Sequence, residues 1–285
     1  MKKVLITGKS SYVGKSFQAY IDKNAASEIQ IDSISVRSSD WKKYDFSKYD
    51  VIIHLAAIVH RNEKQSSLEK YREINRDLTI EIAKKAKCEK VSHFIFFSSI
   101  AVYGSDKDGM INIDSSLTPV TKYGISKLEA ENELKDLEND HFAVSIIRPP
   151  MIYGKNCPGN YSSLSKLANH WGVYPKVRNQ RSMIYIENLA EFLRQVVNRR
   201  LSGIFLPQND EFMDTTNLIK LIRKSHYKKM IVLSGFSGIV RFAIKKSNIV
   251  SKLYGSLRIE HSLSAPYLEY NIINQAATIA RTESN

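Results

Sequence analysis

The sequence predicts an α/β fold, a doubly wound parallel sheet with a smaller C-terminal lobe. Short apolar runs rich in β-branched residues alternate with helix-spaced segments through the first 150 residues, the order that builds a parallel sheet covered on both faces by helices. The first of these runs ends in Thr7-Gly8 and opens a helix. After Pro149-Pro150 the alternation loosens into loops and shorter helices, as expected where a second lobe begins.

Each element follows from local pattern. Residues 4–6 read as a buried strand, and residues 13–23 as the helix beyond its turn. Residues 29–36, 51–56 and 94–97 supply the second, third and fourth strands, and residues 144–147 a fifth. Residues 68–87 place Tyr71, Ile74, Leu78, Ile82 and Ala86 on one helical face. Residues 123–137 make another amphipathic helix, and residues 186–197 and 216–225 are helical beyond the proline break. Right-handed crossovers then align the C-terminal ends of the strands along one rim, where ligands bind at the switch in strand order. The expected organisation is a Rossmann domain over residues 1–150. Residues 151–285 are then mainly a substrate-binding lobe, with a segment near 182–206 returning to the sheet.

Hydrophobic residues make up 43% and charged residues 25% of the 285 positions, which supports a packed core and excludes a largely disordered chain. Lys and Arg outnumber Asp and Glu by 42 to 29, a formal charge of +13 that attracts polyanions, acidic lipid or an anionic small substrate. The basic residues are scattered and form no nucleic-acid-binding motif, so nucleic acid is not expected as a partner. Cys88 and Cys157 lack the spacing of a disulfide framework or a zinc site; no metal is expected, and a reducing cytoplasm fits. The opening M-K-K-V-L-I-T-G ends its apolar run too early for a signal peptide, and no run of about 18 apolar residues marks a membrane span. Residues 230–252 mix apolar residues with Arg241, Lys245, Lys246 and Lys252. Weak membrane-surface association is therefore a candidate beside the plainer reading of lobe core with a solvated edge. A homodimer is a candidate assembly.

The turn T-G-K-S-S-Y-V-G sets Gly8 and Gly14 around the first strand-to-helix junction, with Ser11, Tyr12 and Val13 between them. Backbone N–H groups and the positive end of a helix suit a pyrophosphate there. Ser11 stands where G-x-x-G-x-x-G spacing has its middle glycine, and its side chain crowds the approach that glycine permits. Beyond the second strand an acidic residue would bond an NAD ribose, whereas an Arg would accept the 2′-phosphate of NADP. Arg37 follows Val36, so the cofactor is NAD or NADP with a lean toward NADP; the plainer reading of Arg37 is a solvated loop charge.

The segment Y-G-I-S-K puts Tyr123 and Lys127 four residues apart, on one face of a helix. A free phenol titrates near about 10, and a neighbouring ammonium draws it toward neutrality, so that it can exchange a proton with an alcohol. Ser98 and Ser99 end the fourth strand on the ligand-binding rim, where a hydroxyl can bond a reacting oxygen. A lone Y-x-x-x-K is usually a surface pair. Glycine turn, serine pair and Y-x-x-x-K in this order are together far more specific.

At these residues the chain resembles the extended short-chain dehydrogenase/reductases, or NAD-dependent epimerase/dehydratase family. The resemblance rests on the glycine turn, H-L-A-A at residues 54–57, Asn75, S-S-I-A-V-Y-G, Y-G-I-S-K, R-P-P-M-I-Y-G and R-S-M-I-Y-I-E-N-L from Arg181. Y-G-S-L-R-I-E at residues 254–260 resembles the substrate lobe of bacterial nucleotide-sugar 4-epimerases and 4-reductases. The resemblance implies Ser99, Tyr123 and Lys127 as the catalytic trio, with Lys127 also holding the nicotinamide ribose. It implies that Asp45 and Phe46 border the adenine and that Leu55, Ala56, Ala57 and Asn75 line the cofactor. Arg181, with Asn160 and Arg258, would meet the nucleotide diphosphate, and Met151 replaces an asparagine that contacts substrate in familiar UDP-galactose 4-epimerases. Ile100 and Ala101 follow Ser99 where 4,6-dehydratases carry an acidic pair, which disfavours dehydration. The implied activity is 4-epimerisation of a nucleotide sugar, such as a UDP-sugar, in cell-surface polysaccharide synthesis. A 4-keto reductase and a non-catalytic scaffold are the alternatives.

Overall fold

Six strands, every neighbouring pair parallel, form the central sheet: β1 (Lys2–Thr7), β2 (Ile29–Ile34), β3 (Val51–His54), β4 (His93–Phe97), β5 (Ala143–Ile147) and β6 (Gly203–Phe205). Their order is β6-β5-β4-β3-β1-β2. The chain runs from β1 outward to β2 and then returns to β3 on the other side of β1, so the switch in strand order lies between β1 and β3. β3, β4 and β5 are buried along their whole lengths, as strands covered on both faces must be. β2, at the edge, buries only Ile29 completely. The structure is a computed structural model, and it describes residues 1–59, 66–104, 109–177, 179–235, 255–265 and 267–284.

The chain divides into two compact units. The first comprises Met1–Ser105, Ser115–Pro149 and Ala190–Pro207, and the second Asp106–Asp114, Pro150–Leu189 and Gln208–Asn285. In the first, helix α1 (Tyr12–Asn24) buries Gly14, Phe17 and Ile21, and the Ser11 hydroxyl caps it by accepting the Gly14 amide at 3.3 Å. The long helical run foreseen over residues 68–87 is interrupted. It comprises α2 (Leu68–Arg72), a π turn over Glu73–Asp77 and α3 (Leu78–Cys88). The wide turn brings Asn75 fully inside, and its carbonyl accepts the Thr79 hydroxyl at 2.9 Å. Helix α4 (Lys122–Lys135) starts at Thr121, whose hydroxyl accepts the Gly124 amide at 3.0 Å. Leu5, Ile52, Phe94, Phe96 and Val144 pack with Ile82, Ala86, Ala130 and Leu134 to make the core.

Two histidines are buried in this sheet. His54 Nδ1 lies 2.7 Å from the Thr7 hydroxyl and Nε2 lies 3.1 Å from the Thr79 hydroxyl. Since Thr79 donates to the Asn75 carbonyl, it must accept from Nε2–H, and Nδ1 accepts from Thr7. This is a neutral imidazole. Burial holds His54 down at about 3 and His93 at about 4. Unfolded histidine takes up a proton near about 6.5, so the stabilisation from each neutral ring is complete above that pH. It is lost as pH falls toward the folded values, at about 1.4 kcal/mol per unit per ring. Urea unfolding from pH 7 down to pH 4 is expected to show this decline. His93→Asn should flatten it, and an unchanged slope would remove His93 from the account.

Among the described residues the second unit carries three parallel strand pairs: Gly109–Ile111 with Leu257–Ile259, Met151–Tyr153 with Met183–Tyr185, and Val173–Pro175 with Ile231–Leu233. Its helices include Asn160–His170, Thr215–Ser225 and Gln275–Glu283. Glu283 ties all three, accepting Tyr161 Oη at 2.7 Å and Ser165 Oγ and His226 Nε2 at 2.8 Å each. Among the described residues no helix is long and apolar enough to cross a membrane. Of the apolar and basic stretch 230–252, residues 236–252, with Arg241, Lys245, Lys246 and Lys252, lie outside the described residues.

Candidate active site

The C-terminal ends of β1 and β3 meet at the glycine turn. Gly8 has φ +115°, and a Cβ there would stand 2.9 Å from the Ala56 amide nitrogen. Only glycine meets both demands. The amides of Gly8 and Lys9 donate to the Ile34 carbonyl at 3.0 and 3.1 Å, drawing the end of β2 to the turn, and Leu55 N donates to the Thr7 carbonyl at 2.9 Å. A Cβ at Gly14 would press on Leu55 Cδ1 at 3.1 Å and Ile6 Cγ2 at 3.2 Å, so this glycine lets α1 approach the sheet. Tyr12 and Val13 form the first turn of α1, whose positive end faces the loop. Ser11, read as a crowding substitution, serves as the helix cap.

Arg37 is exposed just beyond β2. Asp45 is exposed with its carboxylate accepting the Ser47 amide and hydroxyl, which hold it below the usual carboxylate range. Phe46 is fully buried in the core beside Trp41, ring centres 6.4 Å apart. Asn75 clamps the segment after β3: its Oδ1 accepts the Ile58 amide at 2.9 Å, and its Nδ2 donates to the Ile58 carbonyl and the Ser126 hydroxyl at 3.1 Å each. The loop that begins at Leu55, Ala56 and Ala57 is thereby fixed to α4.

Helix α4 brings Tyr123 and Lys127 beside the strand end that carries Ser99. Lys127 is fully buried; its Nζ donates to the Phe97 carbonyl at 2.7 Å and lies 4.3 Å from the Phe96 ring centre and 5.9 Å from that of Tyr123. Ser99 opens the short 3-10 turn Ile100–Tyr103 and accepts the Ala101 amide at 3.1 Å. The expectation that the ammonium draws Tyr123 toward neutrality is not met. Burial pushes the phenol up to about 12, against a side-chain hydrogen bond with Ser99 that lowers it. Burial likewise brings Lys127 down to about 7, against the Glu131 charge that raises it. Desolvation therefore dominates at both groups, and the phenol keeps its proton at neutral pH.

Gly124 sets the spacing of these groups. A Cβ there would stand 2.6 Å from the Ala101 carbonyl oxygen, so α4 and the Ser99 turn touch through bare backbone. Gly124→Ala should separate Tyr123 from Ser99. Turnover is expected to fall on the order of 100-fold, the scale of an ångström-sized misplacement, with dinucleotide affinity, read by fluorescence titration, little changed.

Sequence reading missed the ion pair beneath the trio. Glu131 and Arg148 are both buried; Arg148 Nε donates to Glu131 Oε1 at 3.0 Å and its Nη1 to Tyr103 Oη at 2.7 Å. Ser98 Oγ also donates to Glu131. One carboxylate thus joins α4 to both sides of the Ser99 turn. A signal was present in the sequence, since Glu131 lies four residues after Lys127 and Arg148 opens R-P-P.

The residues read as substrate contacts lie in the second unit. Arg181 pairs through its backbone with Met213, N to O at 2.9 Å, and forms a bridge with Leu257, next to Arg258. Burial lowers the Arg181 pKa, and Arg258 Nη1 donates to Gln180 Oε1 at 3.1 Å while its Nε is buried without a partner among the described residues. These two guanidiniums stand on neighbouring backbone segments. Met151 is half-buried in the strand paired with Met183–Tyr185, and Asn160 is exposed at the start of its helix.

A family model described as the NAD dependent epimerase/dehydratase family matches residues 4–206. The chain belongs to this family. Across 275 residues it is 28% identical to a UDP-glucose 4-epimerase of Vibrio cholerae, covering 90% of this chain and 82% of that protein. Two solved structures share the fold over 99% of this chain. One is a UDP-glucuronic acid 4-epimerase from Bacillus cereus in complex with NAD (18% identity, TM-score 0.74, 97% of that chain). The other is a dTDP-4-dehydrorhamnose reductase from Bacillus anthracis in complex with NADP (20% identity, TM-score 0.70, 98% of that chain). The epimerase/dehydratase member described here is an enzyme of the extended short-chain dehydrogenase/reductase type. Its residues fit a nicotinamide dinucleotide: the Gly8 turn carries bare backbone into the positive end of α1, where a pyrophosphate is held.

Proposed function

We propose that this chain is a 4-epimerase of a nucleotide sugar, a UDP-sugar in the first instance. The observation that carries the reading is the placement of Tyr123, Lys127 and Ser99 at the rim of the same sheet that bears the Gly8 turn. Gly8, Ser11, Tyr12, Val13 and Gly14 would hold the dinucleotide phosphates, and Lys127 its nicotinamide ribose. A bound nicotinamide dinucleotide supplies the capacity to accept and return hydride at the sugar carbon. The protein's part is proton traffic and orientation. Tyr123 must first pass its own proton to solvent; as the phenolate, its Oη takes the proton of the C4 hydroxyl and gives it back to the same oxygen after the ring has turned its other face. Ser99 Oγ bonds that oxygen as its charge changes, and the Lys127 ammonium favours the phenolate when the proton has left. Arg181 and Arg258 would meet the diphosphate, with Asn160 and Met151 nearer the sugar.

A second reading, a 4-keto sugar reductase consuming NADPH, uses the same trio once. Arg37, exposed beyond β2 where a 2′-phosphate would lie, favours it, as does a Tyr123 that starts protonated and ready to donate. Incubating the purified protein with UDP-sugars and with 4-keto nucleotide sugars, each with and without NADPH, separates the two. Interconversion of C4 epimers without net NADPH oxidation is the expected result. Oxidation of NADPH in step with loss of the 4-keto sugar would replace the first reading by the second, and no conversion under either condition would overturn both.

A further inference from the structure

The strand pair Val173–Pro175 and Ile231–Leu233 sets Ile231 opposite Val173 and Leu233 opposite Pro175. Side chains alternate across a strand; in the first strand the faces differ, while Val232, opposite Tyr174, is itself 39% exposed. Tyr174 is buried, with its hydroxyl on the Leu167 carbonyl at 2.7 Å. On the other face Val173 is 47%, Ile231 61% and Leu233 40% exposed, and Trp171, two residues before Val173, is 60% exposed. This apolar face is held firmly from behind. Arg223, itself buried, donates to the carbonyls of Ala168 at 2.6 Å and Lys229 at 2.7 Å and also to that of Trp171, fixing the roots of both strands.

Among the described residues, the charged side chains that directly flank the two strands in the chain are basic. Between Asp140 and Glu187, and again between Asp214 and Glu260, the sequence contains no Asp or Glu, against six and ten Lys or Arg. Both strands come from these stretches. Lys176 directly follows one strand, and exposed Lys228 and Lys229, with fully exposed Tyr227, precede the other. Glu283, on the helix Gln275–Glu283, is buried and accepts Tyr161, Ser165 and His226, so it does not offset the lysines at the surface.

We propose that this face docks the protein on an anionic lipid bilayer. Trp171, Val173, Ile231 and Leu233 enter the headgroup boundary while the lysines meet acidic headgroups. An aliphatic face with an aromatic residue on it suits the edge of the hydrocarbon, whereas a nucleic acid would call for stacking platforms and phosphate contacts along a groove. Charge complementarity selects acidic lipid, and each lysine at such a surface strengthens binding roughly fivefold. This docking stands apart from the catalytic reading and uses none of its residues.

Trp171 is the reporter for the test, because the other tryptophan, Trp41, is buried. The full-length protein is floated with vesicles of phosphatidylcholine alone or mixed with phosphatidylglycerol, and tryptophan emission is recorded. Flotation with the acidic vesicles only, a blue shift of emission and release by salt are expected. Trp171→Ser with Ile231→Ser should weaken binding by at least about tenfold, and Lys228→Glu with Lys229→Glu by at least about 25-fold, with circular dichroism unchanged. The proposal is overturned by absence of binding to acidic vesicles at low salt, or by a Trp171/Ile231 variant that binds like wild type. It is equally overturned if polyuridylate competes the protein off vesicles while shifting Trp171 emission, or if wild type is a dimer that does not bind vesicles and that the Trp171/Ile231 variant dissociates.

Discussion

Tyr123→Phe is expected to abolish conversion at C4 while leaving dinucleotide binding within about twofold of wild type. The substitution removes one oxygen and keeps the buried ring in place. Positioned proton transfer contributes about 100- to 10,000-fold, and among the described residues Lys127 Nζ is committed to the Phe97 carbonyl and His54 to Thr7 and Thr79. Turnover of the UDP-sugar pair should therefore fall by at least about 1,000-fold. A variant within tenfold of wild type would remove Tyr123 from the chemistry.

Glu131→Ala should have the largest effect on stability. It leaves the Arg148 guanidinium buried without its carboxylate, a loss of about 3–5 kcal/mol. The urea midpoint should move accordingly. Replacing both partners, Glu131→Met with Arg148→Met, should restore most of that loss, because two buried apolar side chains carry no unpaired charge. The double variant would still lack the tie between α4 and the Ser99 turn. Stability and turnover are then expected to separate, the first recovering and the second staying low. Recovery of both would reduce the pair to a packing element.

The sheet was legible because buried parallel strands are continuous apolar runs, and residues 51–56, 94–97 and 144–147 stand out between helical spacings. That Ser99, Tyr123 and Lys127 come together was legible because two of them share one helical face. Periodicity missed the π turn at Glu73–Asp77 because the extra residue shifts the register: the positions that continue the buried face from Tyr71 are the polar Asn75 and Thr79, while the expected Ile74 and Leu78 are only partly buried. It was Asn75, singled out by resemblance, that occupies this turn. The role of His54 was hidden for another reason: H-L-A-A reads as the end of a strand, while its partners Thr7 and Thr79 come from distant parts of the chain. The acidity of Tyr123 was misjudged because helical spacing reports which side chains are neighbours and says nothing of how much water they have lost.

β6, only three residues long, has a practical consequence for anyone dividing this protein. It covers the outer edge of β5, pairing Ser145 through Ile147, and Phe205 accepts the Arg148 amide. A fragment that stops at Pro149 would expose the edge of a fully buried strand with its backbone donors and acceptors unpaired, a template for aggregation between molecules. Expressing the first unit alone therefore calls for a chimera in which residues 190–207 are spliced behind residue 149, and a simple truncation should be recovered from inclusion bodies.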